Sequence, residues 1–172
     1  DNAAGALALY VALEGRSGID ADRVNAAYSS LAVPGRLQRV DDDRRWLLDV
    51  AHNPRTAEVL AQALRDLYPN ERLVAVAGIL ADKDVAGIVQ ALLPQVSVWI
   101  AVPAVSPRTL AAHRLAAMIA AAGDVPCRVA TSVADGLAWA RRLSTANDLI
   151  VVTGSFFTVG PALDVLQPAS AH

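Results

Sequence analysis

The chain reads Leu47-Leu48-Asp49-Val50-Ala51-His52-Asn53-Pro54 at the point where a short apolar strand gives way to a helix. The Asn-Pro pair is a typical helix start, because asparagine caps free N–H groups and proline fits the first turn. A carboxylate and an imidazole therefore stand between a strand end and the positive end of a helix dipole, which attracts anions. The octapeptide predicts a ligand that carries both hydroxyl groups and phosphate.

The same change from strand to helix recurs along the rest of the chain. Two short strands, 37–40 and 46–50, flank a polar turn and predict a hairpin. Beyond it the pattern predicts helices and strands in alternation, at 54–68, 73–77, 84–93, 97–102, 109–122, 127–130, 133–144 and 149–153, with a short helix near 159–166. The strands are continuous apolar runs, which is typical of strands buried on both faces. The prediction is an α/β fold: a Rossmann-like, mostly parallel sheet with helices on both faces.

The first 33 residues follow a different pattern and predict two helices, which end before the Pro34-Gly35 break. We therefore expect a short helical segment at 1–33 and the α/β domain at 34–172. The chain begins at Asp1 without an initiator methionine. On that ground we expect it to be part of a larger protein.

Composition excludes several classes of protein. A net charge of −2 with scattered signs argues against a nucleic-acid surface, which needs a basic stripe. The one cysteine, Cys127, cannot form an internal disulfide, fits a reducing compartment and is predicted to be buried. No apolar run reaches the roughly 18 residues that span a bilayer. The sequence predicts a cytoplasmic protein with no membrane and no nucleic-acid partner.

Polar side chains collect after the predicted parallel strands. In open parallel sheets, ligands bind beyond the carboxyl ends of the strands. The segments that follow the strands carry a carboxylate, an imidazole, the only lysine, an arginine, and a serine beside glycine: Asp49, His52, Lys83, Arg108 and Ser155. Arg108 follows Pro107 and is more typical of a solvated loop residue. The others predict a binding site along one edge of the sheet.

Four segments in order resemble the motifs of the folylpolyglutamate synthase/dihydrofolate synthase family, within the Mur ligase superfamily: 34–38, 49–54, 78–84 and 154–160. The resemblance runs from about Asn2 to Leu166 and covers only the C-terminal part of that family. It implies an ATP-dependent ligase of folate biosynthesis and one-carbon metabolism, which adds L-glutamate to a folate through an acyl-phosphate intermediate. Residues 1–33 would then be the end of the preceding ATPase domain, and 34–172 the C-terminal glutamate-ligase domain.

The resemblance also implies a role for individual residues. Those expected to bind ATP are Asn2 at adenine, Arg36 at the γ-phosphate and Asp49 at the ribose. Those expected near the incoming glutamate are His52, Lys83 and Ser155. Arg36 and His52 are the expected catalytic residues. Val50 stands where many relatives have glycine, which changes the local backbone freedom.

Much of the implied enzyme lies outside this sequence. The chain has no G-x-x-x-x-G-K-[ST] phosphate loop, no plausible set of magnesium carboxylates and no pterin pocket. We therefore expect ATP and Mg²⁺ to be held mainly by an N-terminal ATPase domain of the same protein, and no metal site in this chain. Folate or dihydropteroate and L-glutamate are the expected substrates, the enzyme is expected to be a monomer, and this chain alone is expected to be inactive.

Each candidate residue also has a purely structural interpretation. Asp49 and Asn53 would cap the following helix, Arg36 would pair with the 41–43 turn, and His52 would be a surface or core histidine. The Asp82-Lys83-Asp84 run would be a charged helix entry, and Gly154-Ser155 only a strand-to-helix turn. Two other functions stay open: the C-terminal domain of a peptidoglycan Mur-type ligase, and a non-catalytic α/β binding module.

Overall fold

The computed structural model describes residues 33–168. The chain divides into two units, 1–34 and 35–172, and the fold below is that of the second unit. The helices predicted before Val33 lie outside the described residues, as does Asn2. The predicted domain boundary stays a prediction.

The described elements follow the predicted alternation. The strands are β1 (Gln38–Asp41), β2 (Arg45–Asp49), β3 (Leu73–Ala77), β4 (Val98–Ala101), β5 (Cys127–Val129) and β6 (Leu149–Thr153). The helices are α1 (Pro54–Leu67), α2 (Val85–Leu92), α3 (Ala112–Ala122), α4 (Val133–Leu143) and α5 (Phe156–Leu166). Two helix starts differ from the prediction by three residues, and that of α2 differs by one. Helix α3 starts late because Thr109 forms a bridge with Leu80, and α5 starts early because Ser155 caps it.

The six strands form one sheet in the order β1-β2-β6-β3-β4-β5. Only β1 is antiparallel, because it forms the predicted hairpin with β2. The parallel register places Asp49 and Ala77 on either side of Thr153, at the carboxyl ends of three neighbouring strands. The mostly parallel sheet predicted from the sequence is confirmed.

Helices cover both faces of the sheet. Helices α1, α2 and α3 pack on one face through residues such as Leu60, Ile88 and Leu115, and Trp99 lies in that core. Helices α4 and α5 pack on the other face through Leu137 and Ala162. All five residues of β3 and of β6 are buried, as expected for strands between two helical layers.

The order of the strands decides where a ligand fits. Helices that follow β2 and β3 lie on one face, whereas the helix that follows β6, the strand between them, lies on the other. The chain therefore diverges at the carboxyl ends of these strands, and such a divergence opens the crevice in which open α/β sheets bind ligands. None of the helices in residues 33–168 is long and apolar enough to cross a membrane.

Candidate functional site

Asp49 ends β2 as a buried carboxylate, with 7% of its surface exposed. One carboxylate oxygen accepts a hydrogen bond of 3.0 Å from the backbone N–H of Leu37, and the other lies 4.0 Å from Nη1 of Arg36. Burial raises the pKa of Asp49, against the opposing effects of the Leu37 N–H and the Arg36 charge. The carboxylate thus lies beside the guanidinium that was expected to act with it.

The turn that carries Arg36 is held against the end of β2. Gly35 accepts a hydrogen bond of 2.9 Å from the N–H of Val50, and Leu37 has a φ of 42°. A positive φ is uncommon in a residue other than glycine, so surrounding contacts must hold it. The Leu37–Asp49 hydrogen bond is such a contact. Arg36 is therefore positioned by β2 and does not pair with the 41–43 turn.

His52 lies between the end of β2 and the start of α1. Its Nδ1 is 3.0 Å from the carbonyl oxygen of Val50. When Nδ1–H donates to that carbonyl, Nε2 of the neutral ring is left as an acceptor. Asn53 caps α1, and its side chain and that of Thr56 form a reciprocal capping box. The cap residue is therefore Asn53, and His52 joins it only through its backbone N–H, which donates to Oγ1 of Thr56 at 3.2 Å, so its half-buried imidazole belongs to neither the cap nor the core.

A cavity of about 170 Å³ opens at the carboxyl ends of the strands. Its lining comes from the segments that follow β2, β3, β4 and β6, including the first turn of α5: His52, Leu80, Lys83, Arg108, Gly154, Ser155, Phe156 and Phe157. It brings together the three residues expected near glutamate, which are His52, Lys83 and Ser155. Arg36 and Asp49 do not line it and lie at the adjoining end of β2.

Two cations of the cavity share one carboxylate. Nζ of Lys83 and Nη1 of Arg108 lie 3.3 Å and 3.1 Å from the same oxygen of Asp82. The pKa of Asp82 is lowered, because its loss of hydration is outweighed by the hydrogen bond and charge of Lys83 and by the charge of Arg108. Asp84 caps α2 by accepting from the N–H of Gly87. In the run Asp82-Lys83-Asp84, Asp84 therefore caps a helix and Lys83 lines the cavity.

Glycines let the loops after β3 and β6 approach closely. Gly154 has a φ of 104°, and a Cβ there would lie 2.6 Å from the carbonyl oxygen of Gly78. The same carbonyl accepts a hydrogen bond of 2.8 Å from Oγ1 of Thr158. Ser155 is buried, and its Oγ accepts from the N–H of Phe157. Ser155 is therefore a helix cap and a cavity residue at once, and its O–H proton can still be donated.

Sequence reasoning missed several residues at this edge. The pattern around Arg108 is typical of a solvated loop residue, but Arg108 lines the cavity, as do Leu80 and the exposed Phe156 and Phe157. Thr153 has a buried hydroxyl that has no hydrogen-bond partner within the described residues. Arg108 carried a weak signal, its place after a strand, whereas Thr153 carried none.

Cys127 lies in β5 as predicted but is half-buried, not fully buried, because that strand is at the sheet edge. Burial raises the pKa of its thiol. Within residues 33–168, no three His, Cys, Asp or Glu side chains form a group that could hold a metal ion.

Comparison with known proteins gives consistent similarities. Residues 35–156 match the family model described as Mur ligase, glutamate ligase domain. The dihydrofolate synthase/folylpolyglutamate synthase of Escherichia coli is 35% identical over 168 residues, which are 96% of this chain and 38% of that protein. The protein of the same name from Mycobacterium tuberculosis is 35% identical over 160 residues, 84% of this chain and 32% of that protein.

Solved structures show the same relationship. Escherichia coli FolC in complex with DHPP and ADP superposes with a TM-score of 0.85 at 33% identity, over 99% of this chain and 39% of that one. The Yersinia pestis bifunctional folylpolyglutamate synthase/dihydrofolate synthase with Mn, AMPPNP and L-glutamate bound gives 0.79 at 30% identity, over 92% and 38%. This chain spans less than two fifths of the length of these relatives. Because the family match extends over most of its residues, the chain belongs to the family of Mur ligase glutamate ligase domains.

Proposed function

We propose that this chain is the C-terminal part of an ATP-dependent ligase that adds L-glutamate to a folate. The observation that carries the proposal is one sheet edge where the Arg36–Asp49 pair adjoins a cavity lined by His52, Lys83 and Ser155. The similarity to dihydrofolate synthase/folylpolyglutamate synthases over nearly the whole chain supports the folate as acceptor.

The Arg36–Asp49 pair suits the nucleotide. A buried carboxylate accepts hydrogen bonds from two ribose hydroxyls, and the buried hydroxyl of Thr153, next to it in the sheet, fits a polar ligand there. The planar guanidinium of Arg36 suits charge spread over a transferring phosphoryl group. We assign the ribose to Asp49 and the γ-phosphate to Arg36. The adenine contact of Asn2 stays a prediction.

The cavity suits the incoming amino acid. Lys83 offers a point charge to a carboxylate, and the O–H of Ser155 offers a hydrogen bond. With Nδ1–H donated to Val50, Nε2 of His52 can accept the proton that the amine of glutamate loses as the amide forms. We therefore assign glutamate to His52, Lys83 and Ser155, and catalysis to Arg36 and His52.

The rest of the reaction needs groups outside the described residues. Because this chain covers only 38% of the length of the Escherichia coli relative, we propose that Mg²⁺ and most of ATP are held by an N-terminal ATPase domain of the same protein. Folate or dihydropteroate would bind there too. We infer that the intact enzyme is a cytoplasmic monomer.

Substitution of the nucleotide residues tests the proposal in the intact ligase. Arg36→Ala and Asp49→Ala should each depress turnover strongly, since a charge-assisted contact is worth about 1.5–3 kcal/mol, or roughly ten- to a hundredfold in binding. His113→Ala, at an exposed position of α3, is the matched control and should keep the wild-type rate. Near-normal turnover in both site variants would remove the basis of the assignment.

Product analysis separates the alternative functions. The intact enzyme should extend folate or dihydropteroate with glutamate, and a product formed only from cell-wall precursors would indicate a peptidoglycan-type ligase. The 172-residue chain alone should form no product with ATP, glutamate and a folate. Full ligation by this chain would contradict the proposal that the active site is shared with another domain.

A further inference from the structure

Three backbone hydrogen bonds hold the loop that carries Arg108 against the segments that line the cavity. The carbonyl of Arg108 accepts a hydrogen bond of 2.8 Å from the N–H of Ala81, and the N–H of Leu110 donates to the carbonyl of Ile79 at 2.9 Å. On the other side, the N–H of Val105 donates to the carbonyl of Phe157 at 2.8 Å. The loop that carries Arg108 is therefore bound to the segments after β3 and after β6, which form the opposite walls of the cavity.

The third hydrogen bond, from Val105 to Phe157, depends on a proline inside α5. Pro161 has no N–H, so the carbonyl of Phe157, four residues before it, has no donor within the helix. The N–H of Val105 takes that place. The carbonyl that Pro161 leaves without a helical donor thus holds the Arg108 loop beside the cavity, and α5 continues through the proline.

The charges around the cavity favour an amino acid with two carboxylates. Lys83 and Arg108 line the cavity with two positive charges, whereas their shared partner Asp82 and the helix cap Asp84 do not line it. An amino acid with an acidic side chain carries one net negative charge, whereas its amide analogue carries none. Because Asp82 holds both cations, their spacing is set before a ligand arrives.

The order of the strands indicates which carboxylate of the ligand lies near each cation. Lys83 follows β3, beside the start of α1: a Cβ at Gly87, four residues on, would lie 2.6 Å from Pro54. Arg108 follows β4, one strand farther from β2 and His52. If the reacting amine faces His52, the adjoining α-carboxylate faces Lys83 and the side-chain carboxylate reaches toward Arg108.

We propose that Arg108 is a specificity-determining residue that binds the side-chain carboxylate of the incoming acidic amino acid. Asp82 positions Arg108 and Lys83 for the two carboxylates. This inference rests on the proposed glutamate ligation. The side chain of Arg108 is 57% exposed, which suits a group that meets a ligand entering from solvent.

Kinetics of the intact ligase with L-glutamate and L-glutamine, at saturating ATP and acceptor, test the role. Arg108→Gln should raise KM for glutamate by about tenfold, the lower end expected for an exposed charge-assisted contact. KM for glutamine should stay unchanged, so the preference for glutamate should fall by the same factor. Arg108→Lys should recover part of the loss, and KM for ATP, measured separately with ATP varied at saturating glutamate, should not change in either variant.

Arg114→Gln is the matched control, because it removes an exposed arginine of α3 that does not line the cavity. It should behave as the wild type. An active wild-type enzyme whose KM for glutamate is unchanged by Arg108→Gln would overturn this inference alone. A wild-type enzyme that does not ligate glutamate would overturn the proposed function and this inference with it.

Discussion

At the scale of one residue, Asp49 is a site residue whose buried charge lowers the stability of the fold. Its carboxylate is buried, it accepts a hydrogen bond from the backbone N–H of Leu37, and Nη1 of Arg36 is 4.0 Å away. Burial raises its pKa, so the folded state holds the proton more tightly than the unfolded state does. The charge that the ribose assignment needs therefore costs free energy of folding at neutral pH.

Asp49→Asn should keep or raise the free energy of unfolding at pH 7, because the amide oxygen still accepts from Leu37 while the buried charge is gone. Since the folded pKa is raised, the cost of the charge grows as pH rises from about 3.9, the unfolded value, through the folded pKa. Urea denaturation of the chain at pH 3 to 7 measures it. The free energy of unfolding of Asp49→Asn should increase relative to that of the wild type as pH rises, whereas that of the exposed Asp124→Asn should not. A loss of stability at pH 7 would contradict a desolvation cost at Asp49.

Gly154→Ala should destabilise the fold by about 1–3 kcal/mol, through its positive φ and the contact of the new Cβ with Gly78. It should also raise KM for glutamate in the intact ligase, because the loops after β3 and β6 must separate. Gly160→Ala is the control: its Cβ meets nothing within 4 Å in α5, and it should stabilise by roughly 0.5–1 kcal/mol. Equal denaturation midpoints for Gly154→Ala and Gly160→Ala would contradict this prediction.

At the scale of the element, the starts of the helices position the residues of the site. Four of the five described helices begin with a side-chain cap, from Asn53, Asp84, Ser132 and Ser155. Three of these caps stand directly beside His52, Lys83 and the cavity. Capping is a local contact between near neighbours in sequence, which is why Asn53-Pro54 could be recognised without a fold. The exception is α3, whose cap residue Ala111 makes no side-chain hydrogen bond.

Asn53→Ala should lower the free energy of unfolding by about 1 kcal/mol, because the side-chain oxygen that accepts from the N–H of Thr56 is lost. Ala111→Ser tests the same effect in the opposite direction and should stabilise by about 0.5 kcal/mol, since the backbone at 111 already has the non-helical conformation that a cap residue needs. Thermal or urea denaturation measures both. If the two variants were equally stable, side-chain caps would not contribute to the stability of these helices.

At the scale of the whole molecule, the antiparallel edge strand is joined to the far helical layer. Asp42, in the β1–β2 turn, accepts hydrogen bonds from Trp46 and from Arg141 of α4, and Arg141 also lies over the Trp46 ring. The pKa of Asp42 falls to about 2, because these bonds and that of Arg44 outweigh its loss of hydration. The hairpin that carries Asp49 is thus anchored at its opposite end.

Asp42→Asn should destabilise the chain at pH 7 by about 1 kcal/mol, once solvent screening of this surface network is allowed for. Because the folded pKa is lowered, the stabilisation is complete above the unfolded value of about 3.9 and disappears as pH falls through about 2. Denaturation of wild type and variant should therefore converge between pH 4 and 2. A difference that is unchanged across that interval would contradict an ionic origin.

The amino-acid sequence by itself determined the elements and the residues that end them. Hydrophobic period, caps and turns are local, so the parallel sheet and the edge that holds Asp49, His52, Lys83 and Ser155 were all predictable. Only the tertiary structure decided that β6 lies between β2 and β3, that Arg108 shares Asp82 with Lys83, and that Thr153 buries an unpartnered hydroxyl beside Asp49. Those facts depend on contacts between segments distant in sequence, which no local pattern encodes.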